Sequence, residues 1–201
     1  MKVLIGCEYS GEVREAFRAK GHDAWSCDLL PSDDDSPYHI HGDVVEAIRS
    51  EEWDFIGLHP PCTALCVSGN RTYGFQKEKH RERLEAMVWT LDLWWEATEK
   101  CDKVYLENPV GVLSKIMDIP QYIQPYQFGH TETKKTGLWL HGLEPLKDTN
   151  NVYDEMMTLP KKDRHKIHYA SPSPDRWKIR STTYKGIARA MADQWRNVYE
   201  P

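Results

Sequence analysis

The chain has 201 residues, 40% of them hydrophobic and 28% charged, which suits one buried core and excludes an intrinsically disordered composition. No apolar run approaches the roughly 20 residues of a membrane span, and the N-terminal stretch turns polar too early for a signal peptide. The formal net charge of -5 argues against a protein that grips duplex nucleic acid mainly by its own electrostatics, because neutralising phosphates needs a basic surface.

Lys2 to Gly6 is a short apolar run ending at glycine, and Glu12 to Lys20 follows with Val13, Ala16, Phe17 and Ala19 at helical spacing. A strand, a loop and a helix are expected there. Ala24 to Leu29 predicts a second strand closing on Asp28, the acidic stretch Ser32 to Ser36 a loop, and Val44 to Ser50 a short helix after the Gly42-Asp43 turn. Asp54 to Leu58 predicts a buried strand that runs into His59-Pro60-Pro61-Cys62. The spacing from about Lys79 to Glu99 predicts a long helix that packs Leu84, Val88, Leu91 and Trp95 on one face.

Lys103 to Leu106 is the next expected strand, ending at Glu107-Asn108-Pro109. A helix near Val112 to Met117 and strands around Tyr122 to Phe128 and Gly137 to His141 complete the pattern. The segment 143–180 is expected to be a loop-rich excursion. Its basic residues Lys161, Lys162, Arg164, Lys166, Arg176, Lys178 and Arg180 form either a positive strip or a solvated loop. A last helix from about Tyr184 to Tyr199 carries Ile187, Ala190, Met191 and Trp195 on one side. Alternating strands and helices imply one α/β domain over residues 1–201, a mostly parallel sheet with helices on both faces.

In open sheets of this kind ligands bind beyond the carboxyl ends of the strands. Four such ends carry reactive or polar groups. After the first strand, Gly6-Cys7-Glu8-Tyr9-Ser10-Gly11 is a turn whose glycines let backbone approach a ligand before a helix N-terminus. Asp28 offers a carboxylate to a ribose diol, and Asp43, followed by Val44, offers an acceptor to an adenine amino group. At the fourth end Pro60-Pro61 stiffens the turn and presents Cys62 in one orientation, where a thiol activated by a helix terminus or a cation becomes a nucleophile. The plain alternative is a small buried cysteine. Glu107, at the end of the following strand, can hydrogen-bond a ring nitrogen and exocyclic amino group of a cytosine.

The five cysteines (Cys7, Cys27, Cys62, Cys66 and Cys101) follow no small-domain staple pattern, so reduced thiols and a cytoplasmic protein are expected. Cys66 either supports a metal pair or simply packs. With His39, His41 and His59 scattered nearby and no second ligand pair at zinc spacing, no metal site is expected.

Taken together, these residues resemble the cytosine-5 DNA methyltransferase family. Pro60-Pro61-Cys62 is similar to that family's Pro-Cys nucleophile loop, and Leu106-Glu107-Asn108-Pro109 to its Glu-Asn-Val motif, with Pro109 where valine is expected. The turn from Gly6 to Gly11 is longer than the family's Gly-x-Gly but resembles its cofactor loop, and Asp28 and Asp43 match its ribose and adenine contacts. Further on, Glu132-Thr133-Lys134-Lys135-Thr136 stands where the family has Gln-x-Arg-x-Arg and keeps one cation. Arg180-Ser181-Thr182-Thr183 resembles the final motif that closes the methionine pocket. As a whole the chain is similar to small phage and prophage proteins of this kind that lack a target-recognition domain.

The resemblance implies a Rossmann-like class I fold and S-adenosylmethionine as cofactor. Gly6, Glu8, Ser10, Gly11, Asp28, Asp43, Val44, Pro60, Ser181 and Thr182 would hold the cofactor, with Cys62, Glu107 and Lys134 catalytic. The implied partner is DNA, as a single strand or with the help of a recognition partner. Three alternatives stay open: the same chemistry on a free cytidine nucleotide, an amino-group methyltransferase, and a catalytically silent protein that binds the cofactor or a partner.

Overall fold

The computed structural model describes residues 1–169, 171, 173 and 176–196. Seven strands form one sheet: β1 (Lys2–Gly6), β2 (Asp23–Asp28), β3 (His39–His41), β4 (Phe55–Leu58), β5 (Val104–Pro109), β6 (Gln121–Ile123) and β7 (Thr136–His141). Their order is β3-β2-β1-β4-β5-β7-β6. The first five run parallel, while β7 enters antiparallel between β5 and β6. Among the described residues the α-helices are α1 (Glu12–Arg18), α2 (Val44–Ser50), α3 (Asn70–Tyr73), α4 (His80–Lys100), α5 (Tyr153–Thr158), α6 (Lys161–Arg164), α7 (Lys166–Tyr169), α8 (Arg176–Ser181) and α9 (Lys185–Gln194). None of them is long and apolar enough to cross a membrane.

The central strands are apolar without alternation because both of their faces are covered. Side chains of a strand point alternately to either side, so Val3 and Ile5 of β1 face one layer and Leu4 the other. On the first side Val13 and Phe17 of α1 and Ile187, Met191 and Trp195 at α9 pack with Phe55 and Tyr105. On the second side Ile48 of α2 and Leu93 and Ala97 of α4 pack with Ile56, Leu58 and Leu106. The Rossmann-like α/β expectation therefore holds.

The segment 143–180 contributes α5 to α8 and part of the loop that precedes them. Of the last helix, Asn197 to Tyr199 lie outside the described residues, while Ile187, Ala190, Met191 and Trp195 are buried as expected. Near Val112 to Met117 only a single 3-10 turn, Leu113–Lys115, forms in place of the expected helix. The strand expected over Tyr122 to Phe128 stops at Ile123, since Pro125, lacking an N–H, opens a 3-10 turn instead.

The long helix packs by a different face from the one its periodicity predicts. Leu84, Val88 and Trp95 are 47%, 58% and 67% exposed, and the buried side is Arg83, Thr90, Leu93 and Ala97. The reason lies outside the helix. Arg83 is swallowed by the loop after β4, where its guanidinium donates to the carbonyls of Ala64 (2.6 Å) and Cys66 (3.5 Å) and to Asn70 Oδ1 (2.9 Å). Satisfying a buried guanidinium outweighs burying a further Leu or Val, because an unpaired buried charge is far costlier than an exposed apolar side chain.

Candidate active site

β4 ends at Leu58, and the next residue ties the exit loop to the neighbouring strand: His59 N–H donates to Gly6 O at 3.0 Å. Asn108, at the end of β5, donates its side-chain amide to Pro60 O at 3.0 Å. The loop then turns on itself, with the N–H groups of Leu65 and Cys66 both donating to Cys62 O. Its far end pairs with the segment after β5, where Val67 N–H donates to Val110 O and Val112 N–H to Leu65 O. Gly111 is required there, since a Cβ would collide with the Leu65 carbonyl. With Arg83 gripping the outer edge, Cys62 is held from three sides.

One cavity of about 80 Å3 brings together Cys62, Glu107 and Lys134 with Glu8, Ser10, Pro60 and Ser181. Seven of the thirteen expected site residues therefore line a common space. The remaining six, Gly6, Gly11, Asp28, Asp43, Val44 and Thr182, do not line that cavity. Asp28 and Asp43 sit instead at the adjoining end of the sheet, and both act on Cys7, whose thiol is pushed up by burial and by these two carboxylates. Cys7 itself adopts φ 58°, a left-handed conformation uncommon for a residue with a Cβ. Asp28 Oδ1 accepts from Leu30 N–H, and Asp43 Oδ1 caps α2 by accepting from Val45 and Glu46 N–H. Val44 is core, packed against the Gly6 backbone. Gly11 is the left-handed N-cap of α1, and Thr182 lends its carbonyl to Lys134 Nζ at 3.5 Å.

The N-terminus of α1, expected to face a ligand, is filled from within. Glu8 accepts from Val13 N–H (2.7 Å) and Arg14 N–H (3.2 Å). Burial pushes the Glu8 carboxyl up, against the opposing pull of His59, those two N–H groups and Arg14. Glu107 goes the other way. Burial opposes its ionisation, yet the hydrogen bond from His59 and the charge of Lys134 hold it below the usual carboxylate range.

Around Glu107 runs a chain that the sequence reading did not assemble. His59 Nδ1 lies 3.3 Å from Glu107 Oε2, and His59 Nε2 lies 2.7 Å from the hydroxyl of the fully buried Tyr105. Gly57 leaves room for the Tyr105 ring, which a Cβ there would strike. The sequence signal for His59 was its place at a strand end. Arg83 and Tyr105 offered none, because both sit inside elements and act on residues distant in the chain.

The thiols form a pair. The neighbouring Cys66 pushes the Cys62 thiol up, together with burial and Glu107, while Lys134 pulls it down. Cys66 is held down at about 5, chiefly by the neighbouring Cys62 and against burial, with help from the Ser68 hydroxyl at 3.0 Å and from Arg180. All five cysteines are free, and among the described residues no three His, Cys, Asp or Glu side chains come together to hold a metal ion.

The C-terminal part of the chain closes over this end of the sheet. Trp177 of α8 packs on Tyr9 with ring centroids 5.2 Å apart, Lys178 Nζ pairs with Asp33 at 2.8 Å, and Arg180 reaches Ser68 Oγ at 3.4 Å. The basic strip is therefore partly spent on neighbours, Lys166 on Glu132 included.

Fold and site together define an α/β Rossmann-like domain with a paired-thiol loop at the carboxyl ends of its strands. No protein-family profile matches the chain, and neither does any curated protein. Among solved structures it is similar to a protein described as a DNA modification methyltransferase encoded within an E. coli prophage, at 13% identity and a TM-score of 0.45, covering 79% of this chain and 55% of that one. It is also similar to the S. pombe Dnmt2 methyltransferase, at 14% identity and a TM-score of 0.46, covering 86% of this chain and 60% of that one. The chain thus spans less than two thirds of either structure, and likenesses this low say nothing of substrate or chemistry.

Proposed function

We propose that the protein is an S-adenosylmethionine-dependent methyltransferase acting on carbon 5 of cytosine, with Cys62 as nucleophile. The observation that carries this reading is the convergence of Cys62, Glu107 and Lys134 in one small cavity at the strand ends. Asn108 adds to it. Its Oδ1 is buried without a hydrogen-bond partner among the described residues, an acceptor that a bound N–H group would satisfy.

The chain's own residues perform the following steps. Glu107, kept ionised, accepts from the exocyclic amino group of the cytosine and fixes the ring over Cys62. As Cys62 Sγ bonds to ring carbon 6, its proton passes to Cys66, the acceptor it already contacts, and the ring π-electrons move to carbon 5. Lys134 offsets the negative charge that develops beside Glu107. Once carbon 5 carries the methyl group that the bound cofactor would supply, its proton passes to solvent, the electron pair of that C–H bond re-forms the carbon 5–carbon 6 double bond, and the carbon-sulfur bond breaks with its pair returning to Cys62.

The donor set at the adjoining end fits the adenosyl part of the cofactor. Asp28 and Asp43 each bind neighbours through one carboxylate oxygen and keep the other for a diol or an amino group. When bound, the cofactor supplies an electrophilic methyl group. A cavity of about 80 Å3 is far below the 300–1,000 Å3 of common ligand sites, so nucleotide-sized groups enter only as α8 moves off Tyr9.

The substrate is DNA or, in a second reading, a free cytidine nucleotide. The second is favoured by the net charge of -5, which works against holding a duplex, and two residues of the basic strip, Lys166 and Lys178, are already paired with acidic neighbours. A duplex cytosine would also have to be flipped out, at a cost of a few kcal/mol. The test is incubation with the methyl donor and 5-fluorocytosine, presented in duplex, single strand and nucleotide. Fluorine at carbon 5 blocks the final elimination. A covalent adduct mapped to Cys62 is expected, and its absence with every substrate form contradicts the reading.

A further inference from the structure

We propose that Cys62 and Cys66 form a peroxide-oxidisable dithiol that closes to a reversible disulfide and so removes the nucleophile from the cavity. The inference stands on the geometry of the pair, and only its consequence for turnover rests on the methyl-transfer reading.

Three features of the loop make the pair. The turn that brings Cys66 N–H onto Cys62 O at 2.9 Å stacks positions four apart and sets the two thiols beside each other, where each alters the other's ionisation. Cys66 Sγ lies 3.0 Å from the Ser68 hydroxyl and 3.7 Å from Thr63 O, and Arg180 reaches the same Ser68 hydroxyl at 3.4 Å, so that with Cys62 beside it the Cys66 thiol is held down. Cys62 is half-buried and lines the cavity, while Cys66 is buried behind it, so a small oxidant reaches Cys66 by way of the Cys62 side. The other three thiols lack this arrangement. Cys7, Cys27 and Cys101 are all pushed up by burial, which keeps them protonated.

The chemistry balances with hydrogen peroxide as the oxidant. The Cys66 thiolate attacks one peroxide oxygen, the O–O bond breaks, and hydroxide leaves with the electron pair, giving a Cys66 sulfenic acid. Cys62 sulfur then attacks Cys66 sulfur, the S–O bond breaks, and the departing hydroxide takes the Cys62 proton away as water. The two sulfurs have lost two electrons, the peroxide has gained them, and one S–S bond has formed.

The experiment treats the full chain with hydrogen peroxide at neutral pH, blocks remaining thiols with iodoacetamide, and analyses tryptic peptides by mass. Cys62 and Cys66 share the peptide 50–71. In wild type that peptide is expected to lose two hydrogens and escape alkylation at both cysteines, and dithiothreitol restores both sites. In Cys62→Ser the Cys66 sulfenic acid has no resolving partner and is captured by dimedone. In Cys66→Ser, Cys62 stays alkylatable at peroxide levels that close the wild-type pair. The proposal is overturned if both thiols remain alkylatable in the oxidised wild type, or if Cys7, Cys27 or Cys101 is consumed first. A second arm measures the 5-fluorocytosine adduct before and after oxidation. Loss of the adduct on oxidation, restored by dithiothreitol, supports the link to turnover, and an adduct unchanged by a formed disulfide overturns it. If the reduced chain gives no adduct either, the methyl-transfer reading has failed, while the peptide masses still decide the disulfide.

Discussion

The two ends of the cleft are built differently. At the Cys62 end several side chains face one another: Cys62 beside Cys66, Glu107 with His59, His59 with Tyr105. At the Asp28 end the same kinds of side chain are spent on backbone. Asp43 caps α2, and Asp28 holds Leu30 N–H. A network of side chains pre-sets geometry and protonation before a substrate arrives, whereas side chains tied to backbone keep a loop in place and present what is left over. On the proposed reading the first end makes and breaks bonds and the second holds a ligand.

Substitutions at the two ends should separate along this line. The largest effect is expected of Cys62→Ala, which removes the nucleophile and lowers methyl transfer by on the order of 10³-fold or more, with melting temperature near that of wild type. Glu107→Gln keeps the shape but loses the charge that accepts the amino group, and transfer is expected to fall about 10²-fold, chiefly in kcat. Cys66→Ser leaves Cys62 without its proton acceptor. In wild type the Cys66 thiolate persists down to about pH 5, so adduct formation should fall only as pH drops through that value. In the variant the limb moves up toward the ordinary thiol range, about pH 8.5, and a profile that does not move contradicts the role. The smallest effect is at the other end. Asp43→Ala is expected to lose about 1 kcal/mol of stability through the missing cap, measured by urea unfolding, and to weaken donor binding while the adduct rate at saturating donor is unchanged.

Much of the cleft was legible in the sequence because strand ends announce themselves. A buried apolar run followed by Pro60-Pro61-Cys62, and another followed by Glu107-Asn108, place chemistry at the edge of a parallel sheet before any contact is known. The long helix shows the limit. Leu84, Val88, Leu91 and Trp95 have the right period for a buried face, but period alone does not say which of two apolar faces wins. Arg83 decided it through bonds to Ala64, Cys66 and Asn70. The last helix was easier, since Ile187, Ala190, Met191 and Trp195 had no such polar competitor. His59 and Tyr105 were missed as a unit for the same reason as Arg83, being 46 residues apart and joined only by the pairing of β4 with β5. Cys66 was noted but left between metal and packing, because the turn that stacks it on Cys62 comes from backbone bonds that no spacing rule reveals.

The most direct measurement supplies a labelled methyl donor with cytosine in duplex DNA, single strands and free nucleotides, and locates the label on the base. The account predicts label on carbon 5, lost in Cys62→Ser. Label on the exocyclic nitrogen with Cys62→Ser fully active, or no label on any substrate, would contradict it.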